Sequence, residues 1–146
     1  MTSILRPRDV NQCAAMLVAA LLVLAIGSAT RVAVGQDAAR SVRLLVDYGD
    51  GTTKTIGDLA WTKGNTVLDA MKAATARRHG ISFSYTGSDA SAVLTKIDDV
   101  PNEGGGAGKK NWQYWVNDAS GDRSFATFEL QAQDLVVWRF ATEQGK

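Results

Sequence analysis

The sequence predicts an α+β domain in which one helix packs on a mostly antiparallel sheet. The order of periodic segments predicts this class, because two strand-like segments precede a single helical one and only strand-like segments follow it. The second observation is the turn chemistry, since short clusters of Gly, Asp and Asn separate the strand-like segments. No internal repeat or coiled-coil period competes with this interpretation.

The first predicted element is a hairpin. Residues 41–48 (SVRLLVDY) carry an apolar side chain at every second position, which indicates a strand with one apolar face. The pair Asp50-Gly51 follows, and Asp-Gly is typical of hairpins because type I′ turns need positive φ at both central residues. Residues 53–61 are therefore predicted to be the returning strand, with a β-bulge at Gly57.

The single helix is predicted over residues 66–79. Thr66 and Asp69 have the spacing of a capping box, with Asp in place of the usual Glu. Apolar residues recur at helical spacing and form the predicted buried stripe: Val67, Leu68, Met71, Ala74 and Thr75. Basic residues at 77–79 stand where cations complement the helix dipole, and Gly80 is predicted to end the helix in a left-handed conformation.

Five strand-like segments follow the helix and complete the predicted sheet. They are residues 81–85, 92–97, 112–117, 125–130 and 135–140. Residues 102–111 form a glycine-rich loop, and residues 118–122 are predicted to be a hairpin turn. The last segment is apolar on both faces, which is typical of a central strand.

The N-terminus has the pattern of a signal peptide over residues 1–35. Arg6 and Arg8 give it a positive start, residues 14–27 are an uninterrupted apolar run, and residues 33–35 fit a small-x-small cleavage site. A retained membrane anchor is the alternative, although a spanning helix needs ~20 apolar residues and this run is shorter. We expect an extracytoplasmic protein, periplasmic or secreted, that meets a membrane only if this segment is retained.

The remaining chain divides into a lead-in at 36–41, a domain at 42–141 and a tail at 142–146. Cys13 is the only cysteine and lies in the leader, so disulfides would not stabilise a mature domain of about 110 residues. The formal net charge of the full chain is +1. A nucleic-acid partner would need a basic stripe, and the sequence has none.

Enzymatic chemistry has little support in the sequence. His79 is the only histidine, and its predicted position at a helix end already has a structural explanation. A zinc site needs three or four ligands of the His or Cys type, so we expect no metal site. The carboxylate pairs Asp47/Asp50 and Asp98/Asp99 fall in predicted turns, where Asp is favoured for its backbone hydrogen bonds. We therefore expect a binding protein without catalytic activity.

The strand at 112–117 and the preceding loop are the predicted binding region. Because Trp112 and Trp115 are three positions apart, they point to opposite faces of the strand, and one of them is then available to a ligand unless both faces are covered. The candidate ligand-binding residues are Trp112, Tyr114, Trp115, Asn117, Gly105 and Gly106. The expected partner is a small molecule or an envelope protein. A structural or interaction domain acting through a sheet edge is the alternative.

Several segments together resemble a known family. They are VDYGDG at 46–51, GNTVLDA at 64–70, IDDVPN at 97–102, WQYWVN at 112–117 and Asp134 before the last strand. Their order resembles the transcobalamin C-terminal-like domain family, a domain of unknown function in many secreted bacterial proteins. That family is similar to the β-grasp-type domain that ends transcobalamin and intrinsic factor. The resemblance covers nearly all of residues 42–141 and implies a β-grasp-like fold.

The resemblance also implies a ligand. In the transcobalamin relatives this domain caps cobalamin against a large helical-barrel domain, so cobalamin or a related corrinoid is the implied ligand. The printed sequence contains no such helical domain, and we therefore expect it to offer at most half of a site of that kind.

Overall fold

The structure is a computed structural model, and it describes residues 40–142. In chain order its elements are β1 (Ser41–Asp47), β2 (Thr53–Ala60), α1 (Val67–Thr75), β3 (Phe83–Thr86), a 3₁₀ turn (Asp89–Ser91), β4 (Val93–Ile97), β5 (Val100–Pro101), β6 (Lys110–Val116), β7 (Ala119–Ser120) and β8 (Leu135–Thr142). The predicted signal peptide, most of the lead-in and most of the tail lie outside the described residues.

The strands form a five-stranded and a three-stranded sheet. The large sheet has the order β2-β1-β8-β6-β7, and the small one has the order β3-β4-β5. In the large sheet β1 and β8 pair in parallel, whereas the other neighbours are antiparallel. The α+β class with one helix and a β-grasp-like arrangement is therefore confirmed, with a sheet that is mixed at its centre.

One core joins the helix to both sheets. The alternation predicted for β1 is confirmed, because Val42, Leu44 and Val46 are buried on one face. That face packs against α1, and the same cluster includes Leu94 and Ile97 of the small sheet. Full burial of a large apolar side chain contributes about 1.5–3 kcal/mol, so this shared cluster is the main stabilising feature of the fold.

The predicted start of the helix is confirmed. The backbone N–H of Asp69 donates to Thr66 Oγ1 at 3.3 Å, and the backbone N–H of Thr66 donates to Asp69 Oδ2 at 2.9 Å. This capping box satisfies backbone donors that the first helical turn leaves unpaired.

The predicted end of the helix is wrong, because α1 stops at Thr75. The backbone tightens into two successive turns, with the N–H of Arg77 bonded to Ala74 O at 3.1 Å and that of Gly80 bonded to Arg77 O at 2.9 Å. The basic residues at 77–79 therefore follow the helix. Gly80 is not left-handed, and glycine is required there for a different reason: a Cβ would lie 1.9 Å from Ala74 O.

The hairpin turns differ in part from their predicted form. The β1–β2 hairpin forms through a loop at 48–52, in which Gly49 and Gly51 have positive φ but Asp50 does not. A two-residue turn with positive φ at both positions instead joins β6 to β7 at Asn117-Asp118, so the turn predicted at 118–122 is wrong. The bulge predicted at Gly57 is confirmed by the register shift between β1 and β2.

Residues 125–130 are not the strand that their alternation predicts. They form a turn and an extended segment with one isolated bridge, between Glu129 and Thr66. The carbonyls of Phe128 and Phe125 accept the backbone N–H groups of Val67 and Leu68, both at 3.0 Å. The segment therefore satisfies backbone donors of the first turn of α1, and its side chains Phe125 and Leu130 are buried without a strand partner.

Candidate functional site

A pocket of about 470 Å³ opens between the β1–β2 loop, β5 and the end of β8, and we call it the turn pocket. Tyr48, Val100 and Phe140 give it an apolar floor. Four charged residues form its rim: Asp50, Lys54, Glu103 and Lys110. Gly49 and Thr52 of the loop complete the wall. A concave apolar surface with a few polar groups at its mouth is the usual form of a small-molecule site.

Aromatic packing fixes the floor of the turn pocket. The ring of Trp112 lies behind it, 5.7 Å from the ring of Tyr48 and 5.3 Å from that of Phe140 between centroids. The indole Nε1 of Trp112 donates to Val100 O at 2.9 Å, which holds β5 against β6. The floor therefore packs on the buried, hydrogen-bonded side chain of Trp112.

Asp98 lies beside the pocket and binds two of its lining residues, Tyr48 and Lys54. Its Oδ2 accepts hydrogen bonds from Tyr48 Oη at 2.5 Å and from Lys54 Nζ at 2.9 Å. Its Oδ1 accepts the backbone N–H of Ser82 at 2.7 Å. Lys54 Nζ also donates to Gly80 O at 3.0 Å. These bonds join the two strands of the first hairpin to the segments that flank the small sheet.

These contacts shift the pKa values of both acidic groups. Burial by itself would raise the pKa of Asp98, but the hydrogen bonds from Tyr48, Ser82 and Lys54 outweigh it and hold this pKa below its usual range. Burial, with the hydrogen bond to Asp98 and its charge, raises the pKa of Tyr48 well above 10.0. At neutral pH the site thus holds an ionised Asp98 and a neutral Tyr48.

Gly49 lets the β1–β2 loop form a wall of the pocket. Its φ is +69°, and a Cβ there would lie 2.3 Å from Phe140 O. Only glycine allows the loop to lie this close to β8, because any other side chain would clash with that carbonyl.

The glycine-rich loop is fixed at its base and extends away from the protein at its tip. The backbone N–H of Lys110 donates to Glu103 Oε2 at 2.8 Å, and Asn111 exchanges hydrogen bonds with the backbone of Gly104. Nothing lies within 4 Å of a Cβ built at Gly105, and Gly106 meets only the side chain of Lys109. The base of the loop lines the turn pocket, whereas Gly105 and Gly106 do not.

The six predicted ligand-binding residues do not share one surface. Trp112 and Tyr114 are buried at 6% and 9% exposure, and Tyr114 Oη donates to Arg123 O at 2.6 Å. Trp115 lies on the opposite face of the sheet, half-buried, with the guanidinium of Arg139 5.1 Å from its ring centroid. Of the six, Trp112 comes nearest to the pocket, as the layer behind its floor. A ligand-binding role for these residues stays a prediction.

Asn102 and Asn117, which lie in segments that carry the family resemblance, form structural contacts. Asn102 accepts the backbone N–H of Trp112 at 2.8 Å and donates to Leu94 O at 2.7 Å. Asn117 donates to Asp134 Oδ1 at 2.6 Å and accepts the backbone N–H of Leu135 at 2.9 Å. Asn117 therefore holds the β6–β7 turn against the start of β8.

The residues that line the turn pocket were predicted only in part. Glu103 and Lys110 lie in the glycine-rich loop of the predicted binding region, whereas the other lining residues were not candidates for ligand binding. Tyr48 and Gly49 belong to the VDYGDG segment, which was assigned to a strand and its turn and to the family resemblance, but not to ligand binding. The available signal was an aromatic residue directly before a glycine-rich turn. Lys54 carried no sequence signal, because the fold brings it beside the glycine-rich loop from a distant part of the chain.

Metal and membrane features are absent from the part of the chain that the structure describes. Within residues 40–142, no group of three or more His, Cys, Asp or Glu side chains could hold a metal ion. No helix in this range has the length and hydropathy needed to cross a membrane.

Comparison with known proteins places the chain in a family. Residues 64–142 match the family described as a domain of unknown function, DUF4430. The chain belongs to this DUF4430 family. The matched range runs from the helix cap to the end of β8, so it contains most of the segments that carry the family resemblance. Family membership thus agrees with the expected class of domain, while the link to transcobalamin stays a prediction.

A solved structure shares the fold at low sequence identity. The chain is similar to a protein from Ruminococcus gnavus described as a candidate metal-binding protein, with a TM-score of 0.55 and 10% identity. The match covers 73% of this chain and 99% of that one. At this identity the similarity shows the fold alone. No curated protein matches the sequence.

Proposed function

We propose that this DUF4430 chain is a non-catalytic binding module that holds a small, partly apolar ligand in the turn pocket. One observation carries the proposal: a pocket of about 470 Å³ with a packed aromatic floor and a charged rim. Pockets that enclose small ligands usually measure about 300–1,000 Å³ and combine an apolar lining with a few polar groups.

Binding is favoured over catalysis by the state of the polar groups. Tyr48 and Lys54 both donate hydrogen bonds to Asp98, and the raised pKa of Tyr48 keeps its hydroxyl protonated. A general base or nucleophile would instead need a pKa near the working pH. This arrangement supports a site that orients a ligand without transferring a proton.

The proposed location is extracytoplasmic. The pattern at residues 1–35 supports it, since a positive start, an apolar run and a small-x-small site are typical of exported proteins.

A corrinoid is the ligand that the transcobalamin resemblance suggests. A corrinoid is a macrocycle with several amide side arms, and it is larger than a molecule that the turn pocket could enclose. The residues of the pocket therefore do not fit a whole corrinoid, and binding would require the macrocycle to lie across the mouth. Cobalamin belongs in the test as a probe of that arrangement.

A metal ion is suggested only by the description of the Ruminococcus gnavus protein. Between residues 40 and 142 the required group of ligating side chains is lacking, so we do not propose a metal site there.

A sheet edge supports a second candidate function, the pairing of β2 with an extended segment of an envelope protein. Among the described strands, β2 pairs with β1 alone. The exposed threonines Thr53 and Thr55 lie on this strand. An added strand would give affinity through main-chain hydrogen bonds, without using the turn pocket.

Titration of the full chain would test the pocket. The probes are cobalamin, its base-free precursor, and three naphthalene compounds carrying an amine, an alcohol or a carboxylate. We expect at least one probe to bind saturably and to shift the NMR amide signals of Tyr48, Gly49 and Lys110. The variant Thr52→Trp should weaken that binding by about tenfold or more, because the indole would fill the pocket.

The matched control is Thr55→Trp, which places the same side chain on the same strand pair but away from the pocket. It should leave the affinity unchanged. If no probe binds, or if both variants bind like the parent chain, the turn pocket is not the binding site. Shifts confined to β2 would instead favour the sheet-edge function.

A further inference from the structure

The charges around the turn pocket point to the chemical class of its ligand: we infer that the pocket selects an organic cation, an amine attached to a flat apolar body. This inference rests on the proposed function and makes it specific. It is carried by the distribution of charge around the aromatic floor.

The two ammonium groups of the site already have carboxylate neighbours. Lys54 is bonded to Asp98 at 2.9 Å. The ammonium of Lys110 interacts with Asp50 and lies 3.9 Å from the position that a Cβ on Gly49 would occupy. Lys54 is therefore paired with a carboxylate beside the pocket, and the charge of Lys110 acts on the carboxylate of Asp50 in the β1–β2 loop.

Glu103 provides an additional negative charge. It lines the pocket from the base of the glycine-rich loop. No salt bridge to Glu103 occurs among residues 40–142. The pocket lining holds two lysines and two carboxylates. Because Lys54 is already paired with Asp98, which lies beside the lining, Glu103 adds a negative charge that no lysine of the lining pairs in a salt bridge.

The main chain holds this carboxylate in place. Glu103 Oε2 accepts the N–H of Lys110 at 2.8 Å, and the N–H of Glu103 donates to Lys110 O at 3.0 Å. Oε1 makes no hydrogen bond within the described residues. A carboxylate that is already oriented loses little side-chain entropy when it pairs with a ligand cation.

The aromatic floor favours the same class of ligand. The rings of Tyr48 and Phe140 line the pocket, and a cation over an aromatic face is attracted by the negative charge density of the ring. The Tyr48 ring is fixed by its hydrogen bond to Asp98. An anionic ligand would gain nothing from these rings and would be repelled by Asp50 and Glu103.

Three naphthalene probes of equal shape test the inference: naphthylmethylamine, naphthylmethanol and naphthoate. We expect the amine to bind the full chain about fivefold or more tightly than the alcohol, and naphthoate to bind most weakly. A rising salt concentration should weaken the binding of the amine and leave the binding of the alcohol unchanged. In the variant Glu103→Gln the amine should fall to about the affinity of the alcohol.

Glu129→Gln is the control, because Glu129 is exposed and lies outside the turn pocket. It should preserve the preference for the amine. If the alcohol binds as tightly as the amine, the inference is overturned while the binding function stands. If naphthoate binds most tightly, Lys110 dominates the site and the inference is also wrong. If no probe binds, the proposed function itself fails.

Discussion

Asp98 is the residue on which the polar contacts of the candidate site converge. Its φ is +46°, a left-handed conformation that Asp tolerates better than most residues, and this directs its carboxylate toward three donors. Those donors come from the β1–β2 loop, β2 and the segment before β3. One side chain therefore ties the first hairpin to the small sheet.

The variant Asp98→Asn should destabilise the fold by about 1–2 kcal/mol at neutral pH, because Lys54 loses its ionic partner. The folded-state pKa of Asp98 is depressed, so its contribution is present above the unfolded value of 3.8 and is lost as pH falls through the folded value. The difference in the free energy of unfolding between the variant and the parent chain should shrink below about pH 4. Urea unfolding at several pH values measures this difference.

Asp99→Asn is the control for this prediction, since Asp99 is adjacent and exposed. It should leave the free energy of unfolding unchanged within about 0.5 kcal/mol. A constant difference between Asp98→Asn and the parent across the acid range would contradict the assigned role.

At the residue scale, a contact could be predicted from the sequence when its two partners lie close together along the chain. The Thr66–Asp69 capping box was predictable because both partners lie within one helical turn. The partners of Asp98 are 50 and 44 positions away, and no local pattern connects them. The candidate pocket was predicted only in part for the same reason.

At the scale of elements, Asn102 connects the two sheets. It bonds to the main chain of β4 through its N–H to Thr95 O and its side chain to Leu94 O, and to β6 through the N–H of Trp112. This side chain takes the place of a strand-to-strand ladder, because β5 is only two residues long.

The variant Asn102→Ala should lower the free energy of unfolding by about 2–3 kcal/mol, since it leaves the N–H of Trp112 and the carbonyl of Leu94 without their partners. Asn111→Ala removes comparable bonds to Gly104 from an exposed loop and should cost less than about 1 kcal/mol. Denaturant unfolding of both variants tests the prediction. Equal losses would mean that Asn102 does not bridge the sheets.

The elements that the sequence predicted well are those with a local cause. The strand β1 alternates because one of its faces is buried, and α1 begins at its capping box. Residues 125–130 alternate in the same way, yet their backbone pairs with the N-terminus of α1 and not with a strand. Alternation reports which side chains are buried, and it does not identify the backbone partner.

At the scale of the whole molecule, one cluster of buried residues connects both sheets and the helix. The parallel pair β1–β8 sits at its centre and joins the two ends of the described chain. Neither sheet has a separate core, because Leu94 and Ile97 of the small sheet pack into the same cluster as Val116 and Trp138.

This shared core predicts a single cooperative unfolding transition. Small domains with one core usually unfold without populated intermediates, so tryptophan fluorescence and far-UV circular dichroism should give the same denaturation midpoint. Native-state hydrogen exchange is the sharper test, because the most protected amides of β4 and of β8 should open with the same free energy. If β4 exchanged at a clearly lower free energy than β8, the small sheet would unfold on its own. The wall that Val100 gives the turn pocket would then be lost before the rest of the fold.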